Sequence, residues 1–161
     1  MKVLVCGFRG DTNSAKLIVD RIEGKYILDK LYLVNSFETS KNQLEQRLQN
    51  EIYDLIIAFG QKPHVKTINL EQKACINGDK LTSNYKYDQL EKILDNKRCA
   101  VNISNNAGNY LCNHIFYVGL KFINKNKLNA KMIFIHIPSA KNIDDIDYLA
   151  DVFSTYIDNL I

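Results

Sequence analysis

The sequence lacks the features that mark several specialised protein classes. There is no C-x-x-C pair: the four cysteines, Cys6, Cys75, Cys99 and Cys112, fall in or beside apolar segments at irregular spacings. Neither a zinc site nor a disulfide framework follows from them, so reduced thiols are the default and no metal is expected. A phosphate-cradling loop is missing too, since "CGFRGDT" carries neither the G-x-G-x-x-G spacing nor a P-loop lysine. No apolar run is long enough to span a bilayer, and "MKVLVCGF" reaches its glycine too soon for a signal-peptide core, which predicts a cytoplasmic protein. The formal charge of +3 is spread along the chain, with lysines and acidic residues interleaved. Without a basic stripe, neither a nucleic acid nor an anionic membrane is an expected partner. Internal repeats, low-complexity tracts and linker composition are also lacking.

What is present is a regular alternation. With 161 residues, 46% of them hydrophobic, the chain can build one sizeable core and is too short for two ordinary domains, so residues 1–161 are predicted to form one domain. Short β-branched runs alternate with segments of helical period, which predicts an α/β fold with a largely parallel sheet. The predicted strands are "KVLVCGF" (2–8), "YLV" (32–34), "YDLIIAFG" (53–60), one or two extended segments within 65–77, "CAVNIS" (99–104) and "KMIFIHIP" (131–138). Helices are predicted from Asn13 or Ser14, from a Ser40 cap, over "YDQLEKILDN", over "NYLCNHIFYVGLKFINKN", and over the terminal "NIDDIDYLADVFSTYIDNLI". "GDKLTSN" reads as a turn-rich connection and "NNAG" as a tight turn.

Two residue types in this pattern could carry chemistry. If the helix after "VNIS" begins near Asn109, Cys112 lies in its first turn, where free N–H groups and the helix dipole favour a thiolate and could hold an oxyanion. The alternative is a small buried cysteine, which position alone favours. Of the three histidines, His114 lies two residues beyond Cys112 and points about 200° away on a helix, while His64 sits in the polar turn "QKPHVK". His136 interrupts the apolar strand "MIFIHIP" near its carboxyl end, where parallel α/β sheets gather their sites. It is either a base or a core histidine satisfied by a carbonyl. Glu71, flanked by apolar positions in "INLEQKACIN", is the candidate to orient that ring, or else a solvated edge-strand residue.

Taken together, "KVLVCGF", "TNSA", "DLIIAFGQ", "INLEQKACIN", "SNNAGNYLCNHIFY" and "FIHIP" occur in an order and spacing that resembles the pyroglutamyl peptidase I (pyrrolidone carboxyl peptidase) family over most of the chain. The resemblance implies a three-layer α/β/α sandwich with a mostly parallel mixed sheet. It also implies a cytoplasmic cysteine peptidase that removes an N-terminal pyroglutamyl residue from peptides, needs no cofactor and assembles as a homo-oligomer, a tetramer or dimer. The nucleophile falls on Cys112, the histidine on His136 and the carboxylate on Glu71. Alignment backward from "ACIN" would put Gln72 at the acidic position instead, but only a carboxylate stabilises an imidazolium by charge. Substrate contacts fall on Phe8, Asn13 and Gln61. The departures cluster on the substrate side: "RGDTNS" lacks the family's second aromatic and paired glycines, and Lys80 is a poor substitute for an arginine near the reacting carbonyl. Tyr85 or Tyr87 could restore an aromatic wall. These losses leave two alternatives open, a non-catalytic binding or structural protein on the same scaffold, and a cysteine amidohydrolase of different acyl specificity.

Overall fold

The computed structural model describes residues 1–160; Ile161, the last residue of the predicted terminal helix, lies outside the described residues. The strands are β1 (Lys2–Phe8), β2 (Ile27–Leu33), β3 (Leu55–Lys62), β4 (Ile68–Glu71), β5 (Lys73–Ile76), β6 (Asp79–Thr82), β7 (Val101–Ser104) and β8 (Lys131–Pro138). The helices are α1 (Ser14–Arg21), α2 (Phe37–Asn50), α3 (Asp88–Asn96), α4 (Leu111–Lys125) and α5 (Ile146–Asp158). Six strands form one sheet in the order β2-β1-β3-β8-β4-β7, and β5 and β6 form a separate hairpin. Strands β2, β1, β3 and β8 run parallel, whereas β4 is antiparallel to β8 and carries β7 parallel to itself. The result is the predicted mixed, mostly parallel sheet.

Because side chains alternate across a strand, the apolar runs of β1, β3 and β8 feed both faces at once. Val3, Val5, Leu55, Ile57, Phe59, Ile133, Ile135 and Ile137 pack with Ile18 of α1, Leu90 of α3 and Phe153 of α5. Leu4, Cys6, Ile56, Ala58, Met132 and Phe134 pack on the other face with Leu44 and Leu48 of α2 and Ile115 and Phe116 of α4. The predicted three-layer α/β/α sandwich follows directly. A helix covers each side, so neither face of the central strands meets water.

Local chemistry explains where the elements begin. Asn13 caps α1, its side chain accepting from Ala15 N–H at 2.9 Å. The cap of α2 is Ser36, not the predicted Ser40: Ser36 Oγ accepts from Thr39 N–H at 3.3 Å, and Ser40 is buried inside the helix. Strand β2 begins five residues before the predicted "YLV", because this edge strand carries Asp29 and Lys30 where alternation was expected to show apolar residues. "GDKLTSN" is the third correction. Asn77 and Gly78 both hold positive φ, 51° and 81°, and turn β5 into β6, so residues 79–82 are a hairpin strand. Asn-Gly is the dipeptide that such a two-residue turn selects, so the signal was present in the sequence.

Phe153 illustrates how the layers are held. It is 1% exposed and meets Phe59 edge-on at a centroid separation of 4.9 Å. Phe153→Ala is expected to lower the unfolding free energy by about 3–5 kcal/mol, measured by urea denaturation.

Candidate active site

The residues of interest meet where β3 and β8 end and α4 begins. His136 has the same parity along β8 as Met132 and Phe134, so its ring projects to the α2/α4 face of the sheet. Glu71, at the end of β4, pairs with Phe134 in register and shares that face. The antiparallel pairing brings the two together: His136 Nδ1 lies 2.7 Å from Glu71 Oε1, with His136 4% exposed and Glu71 fully buried. The second oxygen, Oε2, is buried and has no hydrogen-bond partner among the described residues. Glu71 is therefore no solvated edge residue. Gln72 follows the end of β4, and its backbone N–H donates to the Ser104 carbonyl at 2.7 Å.

Gly60 explains how a sulfur fits beside this pair. Gly60 is the in-register neighbour of His136 across β3 and β8. A Cβ built on it would come within 2.5 Å of Cys112 Sγ and 2.9 Å of Phe134. Cys112 Sγ therefore rests directly over Gly60, the residue one strand spacing from His136, on the face where that ring projects. A side chain on Gly60 would evict it.

The "SNNAGNY" loop delivers Cys112 to this place. Asn106 N–H donates to Ser104 Oγ at 3.2 Å, Gly108 N–H donates to Asn106 Oδ1 at 3.0 Å, and Gly108 takes φ 85°. Helix α4 starts at Leu111, with Tyr110 as an extended cap that supplies no side-chain hydrogen bond. His114 N–H is the first to find a helical acceptor, the Tyr110 carbonyl at 3.0 Å, which leaves the N–H groups of Leu111, Cys112 and Asn113 without an intrahelical partner. An oxyanion near the sulfur would meet these donors. Asn113 faces the hairpin: its amide accepts from Cys75 N–H at 2.9 Å and donates to the Cys75 carbonyl at 2.8 Å, acting as a strand partner for β5. As predicted, His114 turns away from Cys112, stacking edge-on with Phe37 at 5.1 Å.

The surroundings of the sulfur oppose the thiolate expected at a helix start. Burial pushes the Cys112 thiol up to about 12, the Glu71 carboxylate adds to the rise, and Lys62 opposes it. Desolvation thus works against the dipole of the first turn and favours the protonated sulfur.

The other predicted contacts are partly committed to the fold. Phe8 is on the same face of the sheet and 3% exposed. Asn13 spends its oxygen on the α1 cap, and Gln61 Oε1 accepts from Ser14 N–H at 2.8 Å, which holds the start of α1 against β3. Their amide N–H groups remain as donors. Lys80 sits on the exposed hairpin opposite Cys75. Tyr85 and Tyr87 pack with the α5-side core, the face opposite Cys112, and cannot wall this site. Tyr87 instead donates to the Glu71 carbonyl at 2.5 Å. The sequence reading missed four residues here: Asn113, Lys62 and the exposed pair Phe37 and Tyr110, whose rings meet edge-on at 5.4 Å. Of these, Asn113 alone carried a signal, as the polar member of "CNH" in an otherwise apolar helix.

The α/β/α sandwich that carries these residues is one with known structures. A pyrrolidone carboxyl peptidase of Fervidobacterium islandicum superposes with a TM-score of 0.87 at 21% identity, covering 99% of this chain and 98% of its own. A mutant pyrrolidone carboxyl peptidase of Pyrococcus furiosus gives a TM-score of 0.82 at 22% identity, covering 98% and 95%. In sequence, a pyrrolidone-carboxylate peptidase of Thermosipho melanesiensis is 30% identical over 172 aligned positions, spanning 88% of this chain and 85% of its own. The pyroglutamyl peptidase family profile matches residues 1–82 and 83–155, and the chain belongs to that family.

Alkylation tests the protonated sulfur. Iodoacetamide is expected to modify Cys112 more slowly than the exposed Cys75 near pH ~7, with the Cys112 rate climbing as pH rises and the thiolate fraction grows, followed by site-resolved mass spectrometry. Fast, pH-independent modification of Cys112 below pH ~7 would mean that the sulfur is ionised at rest.

Proposed function

We propose that this peptidase hydrolyses the N-terminal pyroglutamyl residue from peptides, with Cys112 as nucleophile, His136 as general base and then acid, and Glu71 as the group that orients the ring. The observation that carries the reading is the buried 2.7 Å contact between His136 Nδ1 and Glu71 Oε1 on the sheet face where Cys112 Sγ lies. With Nδ1 committed to the carboxylate, Nε2 is the nitrogen left to exchange a proton. Because the thiol is protonated at rest, attack and proton transfer occur together: Nε2 takes the Sγ proton as sulfur adds to the pyroglutamyl carbonyl. The resulting oxyanion faces the free N–H groups at the start of α4. Collapse breaks the C–N bond, and the imidazolium gives its proton to the departing amine. Water, deprotonated by His136, then attacks the thioester, releasing pyroglutamate and returning the proton to sulfur.

Glu71 makes this cycle possible electrostatically. A transient imidazolium in a site with little water is costly unless an opposite charge is already in place, and the carboxylate provides it without moving. Phe8 forms the apolar floor of the acyl slot, and the remaining amide N–H groups of Asn13 and Gln61 offer donors to the substrate's carbonyl groups.

A second reading, a cysteine amidohydrolase for a different small acyl group, draws support from the near-complete burial of Phe8 and from the missing second aromatic in "RGDTNS". Turnover of a panel of acyl amide reporters separates the two. The pyroglutamyl amide is expected to be cleaved fastest; a preference for another acyl group selects the second reading, and no turnover of any reporter overturns both. Cys112→Ser and His136→Ala are each expected to reduce kcat by about a thousandfold or more, and Glu71→Gln by about a hundredfold with a small change in KM. Unchanged turnover in Cys112→Ser overturns the nucleophile assignment.

A further inference from the structure

Lys62 is the charged group of the site that neither the motif nor the proton transfers above employ. It is the last residue of β3, two positions beyond Gly60 and therefore on the same face of the strand. Its ammonium crosses the end of β8 and reaches to 3.9 Å from Glu71 Oε1, the oxygen that faces His136. It also donates to the Asn106 carbonyl at 3.5 Å, in the loop that leads into α4. The Lys62 side chain is 35% exposed while Glu71 is fully buried, so the cation lies at the mouth of the site and the anion at its base. A separation of 3.9 Å is too long for a hydrogen bond, and the interaction is one of charge.

We propose that Lys62 is a positioning residue for this site: its ammonium is the fixed countercharge shared by the Glu71 carboxylate and the Cys112 sulfur, and it governs how readily that sulfur gives up its proton. The proposal rests on Cys112 being the nucleophile. Three charged or titratable side chains face Cys112: Lys62 from β3, Glu71 from β4 and His136 from β8. Helix α4 adds its own free N–H groups. Among these side chains Glu71 is the acidic one, and its carboxylate disfavours a second negative charge on sulfur. Lys62 offsets that penalty, in agreement with its opposing influence on the thiol. Its hold on Asn106 gives the same ammonium a second task, which is to tie the β7–α4 loop to β3 and keep the first turn of α4 over the sheet.

The sign of the effect is set by charge. Removing the cation favours the neutral thiol over the thiolate, so ionisation moves to higher pH. In Lys62→Met and Lys62→Gln, the curve of Cys112 alkylation rate against pH is expected to shift upward in pH, with a rate about threefold lower on the rising limb. Reporter kcat is expected to fall by a similar factor with KM nearly unchanged, and Lys62→Arg is expected to restore both to within about twofold. Two neutral variants are used, with thermal unfolding as the fold control, so that misfolding of one leaves the comparison intact. Superimposable alkylation curves for wild type and the neutral variants overturn the proposal. Equal losses in Lys62→Arg and Lys62→Met overturn it as well, because packing rather than charge would then be responsible. The alkylation arm reads Cys112 directly. A shifted curve in a protein that cleaves no pyroglutamyl reporter upholds the role of Lys62 and removes the acyl specificity, whereas reporter cleavage without any shift removes the role of Lys62 alone.

Discussion

The contact on which the site depends is a carboxylate placed against an imidazole where water does not reach. A buried carboxylate is unfavourable by itself, and leaving one uncompensated costs about 3–5 kcal/mol. Glu71 therefore constrains everything around it: a ring held at 2.7 Å, an ammonium held at 3.9 Å, and a sheet register that delivers both. That register arises because β4 runs against β8. Antiparallel pairing sets Asn69 opposite His136 and Glu71 opposite Phe134, so the carboxylate reaches its partner diagonally along one face.

The sulfur obeys a complementary constraint, one of space. Gly60 leaves a gap in the carpet of side chains over β3, and Cys112 fills it. Helix α4 can approach that closely because its first turn is anchored on both sides. Asn113 grips the backbone of β5, and the Asn106–Gly108 turn folds back on itself before the helix starts. The nucleophile candidate thus sits on a rigid element whose position is set by neighbours, not by its own side chain. Its burial has an electrostatic consequence. A dry site strengthens each interaction of developing charge in the transition state while making a standing charge on sulfur unfavourable.

Much of the architecture could be read from the chain because β1, β3 and β8 are buried on both faces and so appear as unbroken apolar runs. His136 stood out for the same reason, as a polar residue inside such a run, and the resemblance of the "CNH" and "FIHIP" blocks placed Cys112 beside it in the argument. The parts that were harder to read are those where one side of an element faces solvent. Strand β2 hides behind Asp29 and Lys30, and the β5–β6 hairpin behind polar side chains despite its Asn-Gly turn. Ser40 attracted the cap assignment that Ser36 fills, since two serines four positions apart look alike until Phe37 and Glu38 are seen inside the helix. The state of the Cys112 proton was also illegible, because helix position is local whereas desolvation comes from β3, β4 and β8, all distant in sequence. Lys62 belongs with it: nothing near "GQKPH" signals that its ammonium reaches across another strand to an acid.

The grip of Asn113 on Cys75 bears on how the fold can vary. The clamp takes hold one pair before the Ile76–Asp79 pair that closes the hairpin, on the residue next to Cys112, and Tyr117 of the same helix donates to Asp79 on the returning strand. The helix that carries the thiol is thus tied to both strands of the hairpin close to its turn, and a single insertion between Glu71 and Cys75 would drag acid and sulfur out of step. The hairpin works as a splint laid along the first turns of the helix, so that remodelling the outer wall of the scaffold there is felt by the chemistry beneath.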